Sequence, residues 1–254
     1  MSAPARVALV TGGTNRLGFE LAKALAKNGY ALALSYRSDP HAAGRAVDLL
    51  RKEEGARAEA FRCDLATDGA PSSLFAEIFS SSLFPSSSSS PPRLDALVHA
   101  ASPWIPKPVD RVTLADWEAV FRAGPRAAFF LAQAAAPALR AAQGSILLVS
   151  DVAAVKAWPS HVPHAAAKAA INSLVLNLAV ALGPDVRVNG LAPGVVLPPE
   201  DMGASAVEAL VAKTPLKRKV AVPDLAAMAV AILENRSMTG QVVAVDAGRT
   251  ARGD

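Results

Sequence analysis

Residues 6–18 read RVALVTGGTNRLG: a short apolar run, Arg6 to Thr11, meets glycines and then opens a helical pattern from Leu17 through Leu25 that ends near Asn28-Gly29. This is strand, turn, helix. A second apolar run, Ala31 to Ser35, precedes a charged helical stretch around Arg45 to Glu54, and a third strand candidate spans Ala58 to Cys63. Strands separated by helices of about ten to fifteen residues predict βαβ units and a parallel sheet.

Farther along, the stretch FSSSLFPSSSSSPP between Phe79 and Pro92 is too rich in Ser and Pro to bury the apolar surface that ordering requires, and is expected to be a mobile surface insertion. Beyond it Leu94 to His99 reads as a fourth strand, Ala115 to Leu139 as one long helix and Ser145 to Ser150 as a fifth strand. Another long helix is expected from about Ala165 to Leu182, a sixth strand at Val186 to Leu191 and a last at Val242 to Val245. The pattern calls for an α/β, Rossmann-type doubly wound fold: a seven-stranded, mostly parallel sheet with helices on both faces, built as one domain over residues 1–254.

Composition agrees with one large core. The 254 residues are 52% hydrophobic and 19% charged, far from disordered compositions. Met1 to Arg6 lacks the regions of a signal peptide, and no uninterrupted apolar run approaches a membrane span, so a cytoplasmic protein without membrane contact is expected. The formal charge of +4 is modest and its basic residues are dispersed, which argues against nucleic acid as a partner. Cys63 is the sole cysteine, so no internal disulfide or cysteine-based metal cluster can form, and it is expected to be a buried bystander.

The glycine-rich turn carries the first functional signal. Gly12, Thr14, Asn15, Arg16, Leu17 and Gly18 fall where the first strand hands over to the first helix, the place where a dinucleotide pyrophosphate meets backbone N–H groups and the positive helix end. At the end of the second strand, an NAD-preferring protein needs a carboxylate for the ribose 2′-hydroxyl. This chain has Tyr36 and Arg37, followed by Ser38, so a 2′-phosphate finds a cation and hydroxyl donors, and NADP(H) is the expected cofactor. Asp39 lies two residues beyond Arg37 and is expected in the following turn.

Thr11 to Gly18, TGGTNRLG, resembles the TGxxxGxG loop of the short-chain dehydrogenase/reductase family. Its Arg16, in place of the middle glycine, is similar to the pteridine reductases and their dihydromonapterin reductase relatives, where that arginine faces the cofactor phosphates; an ordinary surface arginine is the alternative. The resemblance extends through VRVNGLAPG, TPLKRKVAVPDLA and TGQVVAVDAG, nearly the whole chain apart from the serine-rich stretch. It implies that Asp64 and Leu65 lie beside the adenine, that Ala100 and Ala101 in HAAS replace part of the family's NNAG, and that Pro193-Gly194 forms the turn after the sixth strand. For Asp64 a plain helix cap is the alternative.

The same resemblance locates the chemistry. The family carries a Ser, a Tyr thirteen residues later and a Lys four residues after that; counted back from Lys168, those positions hold His164 and Asp151. Asp151 is a pteridine reductase trait, whereas His164 is a departure from the family. An imidazole exchanges protons near neutral pH, although a neighbouring ammonium disfavours its charged form. Ser102 and Trp104 in HAASPW fall on the pterin-contacting serine and stacking phenylalanine of the pteridine reductases, and Gly124 falls on the family's helix asparagine. His161 and His164 lack a third metal ligand, Pro163 between them suggests a loop, and no metal is expected. His99 is read as a hydrogen-bonded structural residue and His41 as exposed surface.

The expected function is an NADPH-dependent reductase of a flat heteroaromatic or carbonyl substrate, with Asp151 and His164 sharing proton delivery. A cofactor-binding protein without reductase activity, or a lyase or cyclase using His164 as base, is the alternative. The two long helices are apolar on more than one face, which predicts a homotetramer or homodimer.

Overall fold

Strand β1 (Arg6–Thr11) lies inside the sheet, next to its middle strand. It pairs in parallel with β2 (Tyr30–Tyr36) from Arg6 opposite Tyr30 to Thr11 opposite Ser35, and on its other edge with β4 (Ala96–His99), where Thr11 faces His99. The computed structural model describes residues 6–84, 92–199 and 202–251. With β3 (Ala58–Arg62), β5 (Ser145–Val149), β6 (Arg187–Pro193) and β7 (Val242–Val245), the strands form one sheet in the order β3-β2-β1-β4-β5-β6-β7. Every pairing is parallel, so the expected fold class holds. The chain winds outward from β1 to β3 and then returns to β4, and this reversal opens a crevice beyond the carboxyl ends of β1 and β4.

Alternation along the strands divides the core into two layers. Ala8 and Val10 of β1, with Leu32 and Leu34 of β2, pack under α1 (Arg16–Lys27), α2 (Pro40–Glu53) and α8 (Val222–Glu234) through Leu21, Leu25, Leu50, Leu225 and Ile232. Leu9, Leu97, Ile146 and Leu148 face the other way, against α3 (Ala70–Phe79), α5 (Ala127–Ala142) and α6 (Val162–Leu182). Removing water from one such leucine stabilises by about 1.5–3 kcal/mol, so both layers hold the crevice edges firmly.

Several boundaries differ from the sequence expectation, each for a local reason. The helix expected over Ala115 to Leu139 is two: α4 (Leu114–Phe121), started by a capping box between Thr113 and Asp116, and α5. Between them Arg122–Arg126 forms a wide turn in which Gly124 leaves the helical region (φ −91°, ψ −109°), next to Pro125, which has no N–H to donate. Pro163 starts a helix rather than marking a loop, because the first turn has no use for the missing donor. Three helices are unanticipated from the pattern: α3, after β3, and α7 (Ala204–Ala212) and α8, between β6 and β7. The first residues of the stretch expected to be mobile are ordered instead: Phe79 closes α3, and Leu83 and Phe84 are buried in the core with Phe84 edge-on to Phe79. Its residues 85–91 lie outside the described residues.

By length and composition the segment Pro159–Leu182 would pass for a membrane span, with a mean hydropathy of 1.6. In the fold, α6 is packed against the sheet and buries Lys168, Ile171, Val175 and Leu182.

Candidate active site

The turn after β1 is built for close approach. Gly12 adopts φ 64° and Arg16 φ 46°, and a Cβ on Gly18 would stand 2.1 Å from the Gly12 carbonyl oxygen, so only glycine lets α1 start against the turn. Asn15, extended at the N-cap, makes no side-chain cap bond, which leaves the first-turn amides of α1 for another acceptor and favours an anion there. These residues line a cleft of about 750 Å³ that gathers Gly12, Thr14, Asn15, Arg16, Leu17 and Gly18 from the turn, Tyr36, Arg37 and Ser38 from the end of β2, Asp64 and Leu65 from beyond β3, and Ala100 and Ala101 from beyond β4.

Its charges are arranged asymmetrically. Arg37 is exposed at the rim, whereas the Asp39 carboxylate caps α2 by accepting from the Ala42 amide at 2.8 Å. Asp64 accepts from the Ala66 amide at 3.0 Å and so closes a turn. The Arg16 guanidinium donates to the Leu197 carbonyl at 2.5 Å. Cys63 is half-buried; burial first, then the Asp64 and Glu77 charges, push its thiol up to about 11, so it is no nucleophile at neutral pH.

A second cavity of about 420 Å³ shares Arg16, Leu17, Ala100, Ser102, Pro103 and Trp104 with the cleft and continues to Asp151, His164, Lys168, Pro193 and Gly194. Asp151, just past β5, turns one carboxylate oxygen to the Ala153 amide at 2.7 Å, and the other lies 3.6 Å from Nε2 of His164. His164 and Lys168 are one helical turn apart on the buried side of α6. The Lys168 ammonium donates to the Val149 carbonyl at 2.8 Å, and burial lowers its pKa to about 8 against a smaller opposing pull from Asp151. Both ring nitrogens of His164 are buried without a hydrogen-bond partner among the described residues.

Trp104 roofs this region. Its ring centroid is 5.0 Å from that of His164, 4.5 Å from His161 and 5.4 Å from Trp158, and Trp158 is 4.3 Å from His161. His161 is therefore an aromatic-cluster residue; burial, and then the nearby His164, lower its pKa. Among the described residues no group of three or more His, Cys, Asp or Glu could hold a metal ion.

The structure thus brings Asp151, His164, Lys168, Ser102 and Trp104 to one cavity and the turn residues to the adjoining cleft. Sequence reasoning missed three participants. Thr11, read only as the first residue of the glycine-turn motif, also holds His99; Trp158 lies on a loop with no motif; and Arg249 comes from beyond β7. Trp158 and Arg249 reach the site only through tertiary folding, so spacing could not reveal them.

Residues 13–250 match the family described as Enoyl-(Acyl carrier protein) reductase. The chain is 36% identical over 191 residues, 74% of its length and 67% of the relative's, to Hydroxynaphthalene reductase-like protein Arp2 of Metarhizium anisopliae. It is 33% identical over 124 residues, 48% of this chain and 96% of the relative, to Short-chain dehydrogenase/reductase homolog YusR of Bacillus subtilis. The chain belongs to the short-chain dehydrogenase/reductase family. A solved structure similar to it is that of FolM Alternative dihydrofolate reductase 1 from Brucella canis complexed with NADP, at a TM-score of 0.84 and 28% identity, covering 98% of this chain and 96% of that one. As a short-chain dehydrogenase/reductase, the chain has its crevice at the sheet's switch point, where the cleft and cavity described above meet.

Proposed function

We propose that this protein is an NADPH-dependent reductase of the pteridine reductase-like type, acting on a flat heteroaromatic or a carbonyl substrate within a single cofactor-binding domain. The observation that carries this reading is the placement of His164 and Lys168, one turn apart on α6, in a cavity that opens into the cleft of the glycine turn. The similarity to an NADP complex supports the cofactor.

The residues present fit NADP(H). The uncapped start of α1 and the glycines, with Thr14, Asn15, Arg16 and Leu17, suit the pyrophosphate; Tyr36, Arg37 and Ser38 suit a 2′-phosphate because the nearest carboxylate, Asp39, is committed to its helix. Asp64, Leu65, Ala100 and Ala101 border the adenine side, while Pro193, Gly194 and Lys168 border the nicotinamide side. When bound there, the cofactor supplies a hydride to an electrophilic carbon.

The chain's own groups supply the rest. His164 stands at the position of the family's tyrosine. With Asp151 3.6 Å away it forms a dyad that delivers one proton to the substrate nitrogen or oxygen, completing a two-electron reduction. Lys168 orients the ribose. Ser102 and Trp104 position the substrate, Trp104 by covering a flat ring. Exposed Phe129 and Phe130 on α5 and Leu176 and Val180 on α6 support assembly as a homodimer or homotetramer, for which light scattering at micromolar concentration is the measurement.

The test is NADPH consumption with dihydrobiopterin, dihydrofolate and a simple diketone, run beside a calorimetric titration of NADPH alone. Turnover with any of them is the expected result. Tight NADPH binding with no turnover of a wide substrate panel would instead favour a cofactor-binding scaffold. That second reading draws on the long Asp151–His164 separation and on Gly124, which offers no side chain where the family has an asparagine.

A further inference from the structure

The lining of the smaller cavity carries a cation, Arg249, that the reductase chemistry leaves unused. Beyond β7 the Asp246 carboxylate accepts from the Gly248 amide at 2.8 Å, the Thr250 amide at 2.7 Å and the Thr250 hydroxyl at 2.7 Å. Gly248 adopts φ 82°, and a Cβ there would meet the Pro215 ring at 2.8 Å. These constraints fix the backbone on both sides of Arg249, whose own amide donates to the Asp246 carbonyl at 3.2 Å.

Arg249 lines the cavity together with Trp158, Trp104 and His164. Its guanidinium carbon is 5.5 Å from the centroid of the Trp158 ring, and its Nη1 is buried with no hydrogen-bond partner among the described residues. The carboxylate nearest in sequence, Asp246, is already engaged by three other donors. Among the described residues lining this cavity the one acid is Asp151, which is turned to Ala153 and His164. A buried guanidinium N–H without an acceptor is costly, and its planar fork matches a carboxylate in two parallel hydrogen bonds.

We infer that Arg249 is a specificity-determining residue that recognises a carboxylate on the substrate, so that the preferred substrates are flat cyclic oxo or imino acids rather than neutral rings. The ring is held by Trp104 and Trp158, the carboxylate by Arg249, and the reducible bond lies toward His164 and Asp151. This inference rests on the reductase reading for the reaction, but anion recognition is measurable without it. The same guanidinium chemistry would suit a cofactor phosphate; its place in the smaller cavity, away from the cleft of the glycine turn, assigns the anion to the substrate.

The experiment is calorimetric titration of the full chain with 2-naphthoate and its neutral counterpart 2-naphthamide, with and without saturating NADPH. The carboxylate is expected to bind about ten- to a hundredfold more tightly than the amide, the range of a charge-assisted hydrogen bond. Arg249→Gln should bring the two compounds together, Arg249→Lys should keep part of the difference, and NADPH affinity should move less than about twofold. Equal binding of the two compounds by the wild-type protein, or no binding of either, overturns the inference even if the variants fail to fold. So does a preference that survives Arg249→Gln. A loss of NADPH affinity in Arg249→Gln equal to the loss for naphthoate would move the anion to the cofactor and overturn it as well. Failure of NADPH to bind at all would defeat the reductase reading, while the titrations without cofactor would still decide the role of Arg249.

Discussion

The Thr11 hydroxyl lies 2.9 Å from Nδ1 of His99, and Nε2 of the same ring lies 3.2 Å from the Gly124 carbonyl. A carbonyl only accepts, so Nε2 bears the hydrogen and Nδ1 takes the proton offered by Thr11. The Thr11 oxygen in turn faces the amides of Ala100 and Ala101 at 3.2 and 3.4 Å. The ends of β1 and β4 and the break between α4 and α5 are thereby tied together beneath the cleft.

This chain of bonds predicts an acid-sensitive fold. Burial above all, and the Lys168 charge after it, lower the His99 pKa from 6.5 to about 3. The unfolded chain takes up the proton first as pH falls, so the stability His99 contributes is complete above about 6.5 and is lost progressively down to about 3. His99→Ala should cost about 2–4 kcal/mol at pH 7, through a cavity and two orphaned partners, and should flatten the pH dependence of the thermal midpoint over that window. A variant as stable as wild type, with the same slope, would contradict the arrangement.

Lys168 gives the opposite end of the pH scale. Its pKa is lowered by burial to about 8, so its ammonium is lost as pH rises through that value, and with it the donor proposed for the ribose. NADPH affinity should therefore fall above about pH 8 in the wild type, and Lys168→Met should bind weakly at every pH. Without cofactor the sign reverses: between about 8 and 10.5 the unfolded chain holds the proton that the folded one has released, so stability from this group rises with pH. Affinity that stays level from pH 7 to 9.5 would remove Lys168 from the cofactor site.

Arg37 should set the choice between the two nicotinamide cofactors. Because it stands exposed at the cleft rim, water and salt screen it, and Arg37→Ala should narrow the NADPH preference by about tenfold rather than abolish binding. Calorimetry with NADPH and NADH on both proteins reads this directly; an unchanged ratio would assign the 2′-phosphate elsewhere.

His164 is the sharpest test of the proposed chemistry. His164→Phe should abolish turnover while NADPH still binds, and His164→Tyr should retain or raise carbonyl reduction, since Lys168 one turn away lowers the phenol pKa. Wild-type rates in His164→Phe would leave Asp151 as the remaining proton donor candidate.

How much of this was readable in advance follows the range of the interactions. β1 and β7 fall where the apolar runs place them, because strand identity there is local. The split of one expected helix into α4 and α5 was hidden because Gly124-Pro125 interrupts an otherwise continuous apolar pattern, and helical repeats persist on both sides. The turn residues, Asp151, His164, Lys168 and Trp104 were legible as motif positions, and they do line adjoining cavities. The hold of Thr11 on His99 and the arrival of Arg249 over Trp158 span 88 and 91 residues (99 − 11 and 249 − 158), and no spacing rule reaches that far.

Of the three tryptophans, Trp104 and Trp158 are in contact at the cavity and Trp117 lies on α4, stacked on Phe121. The protein's intrinsic emission is thus weighted toward the very place where a ring-shaped guest would settle. With Trp117→Phe the remaining indoles become an internal optical probe, able to follow occupancy in real time without any attached dye.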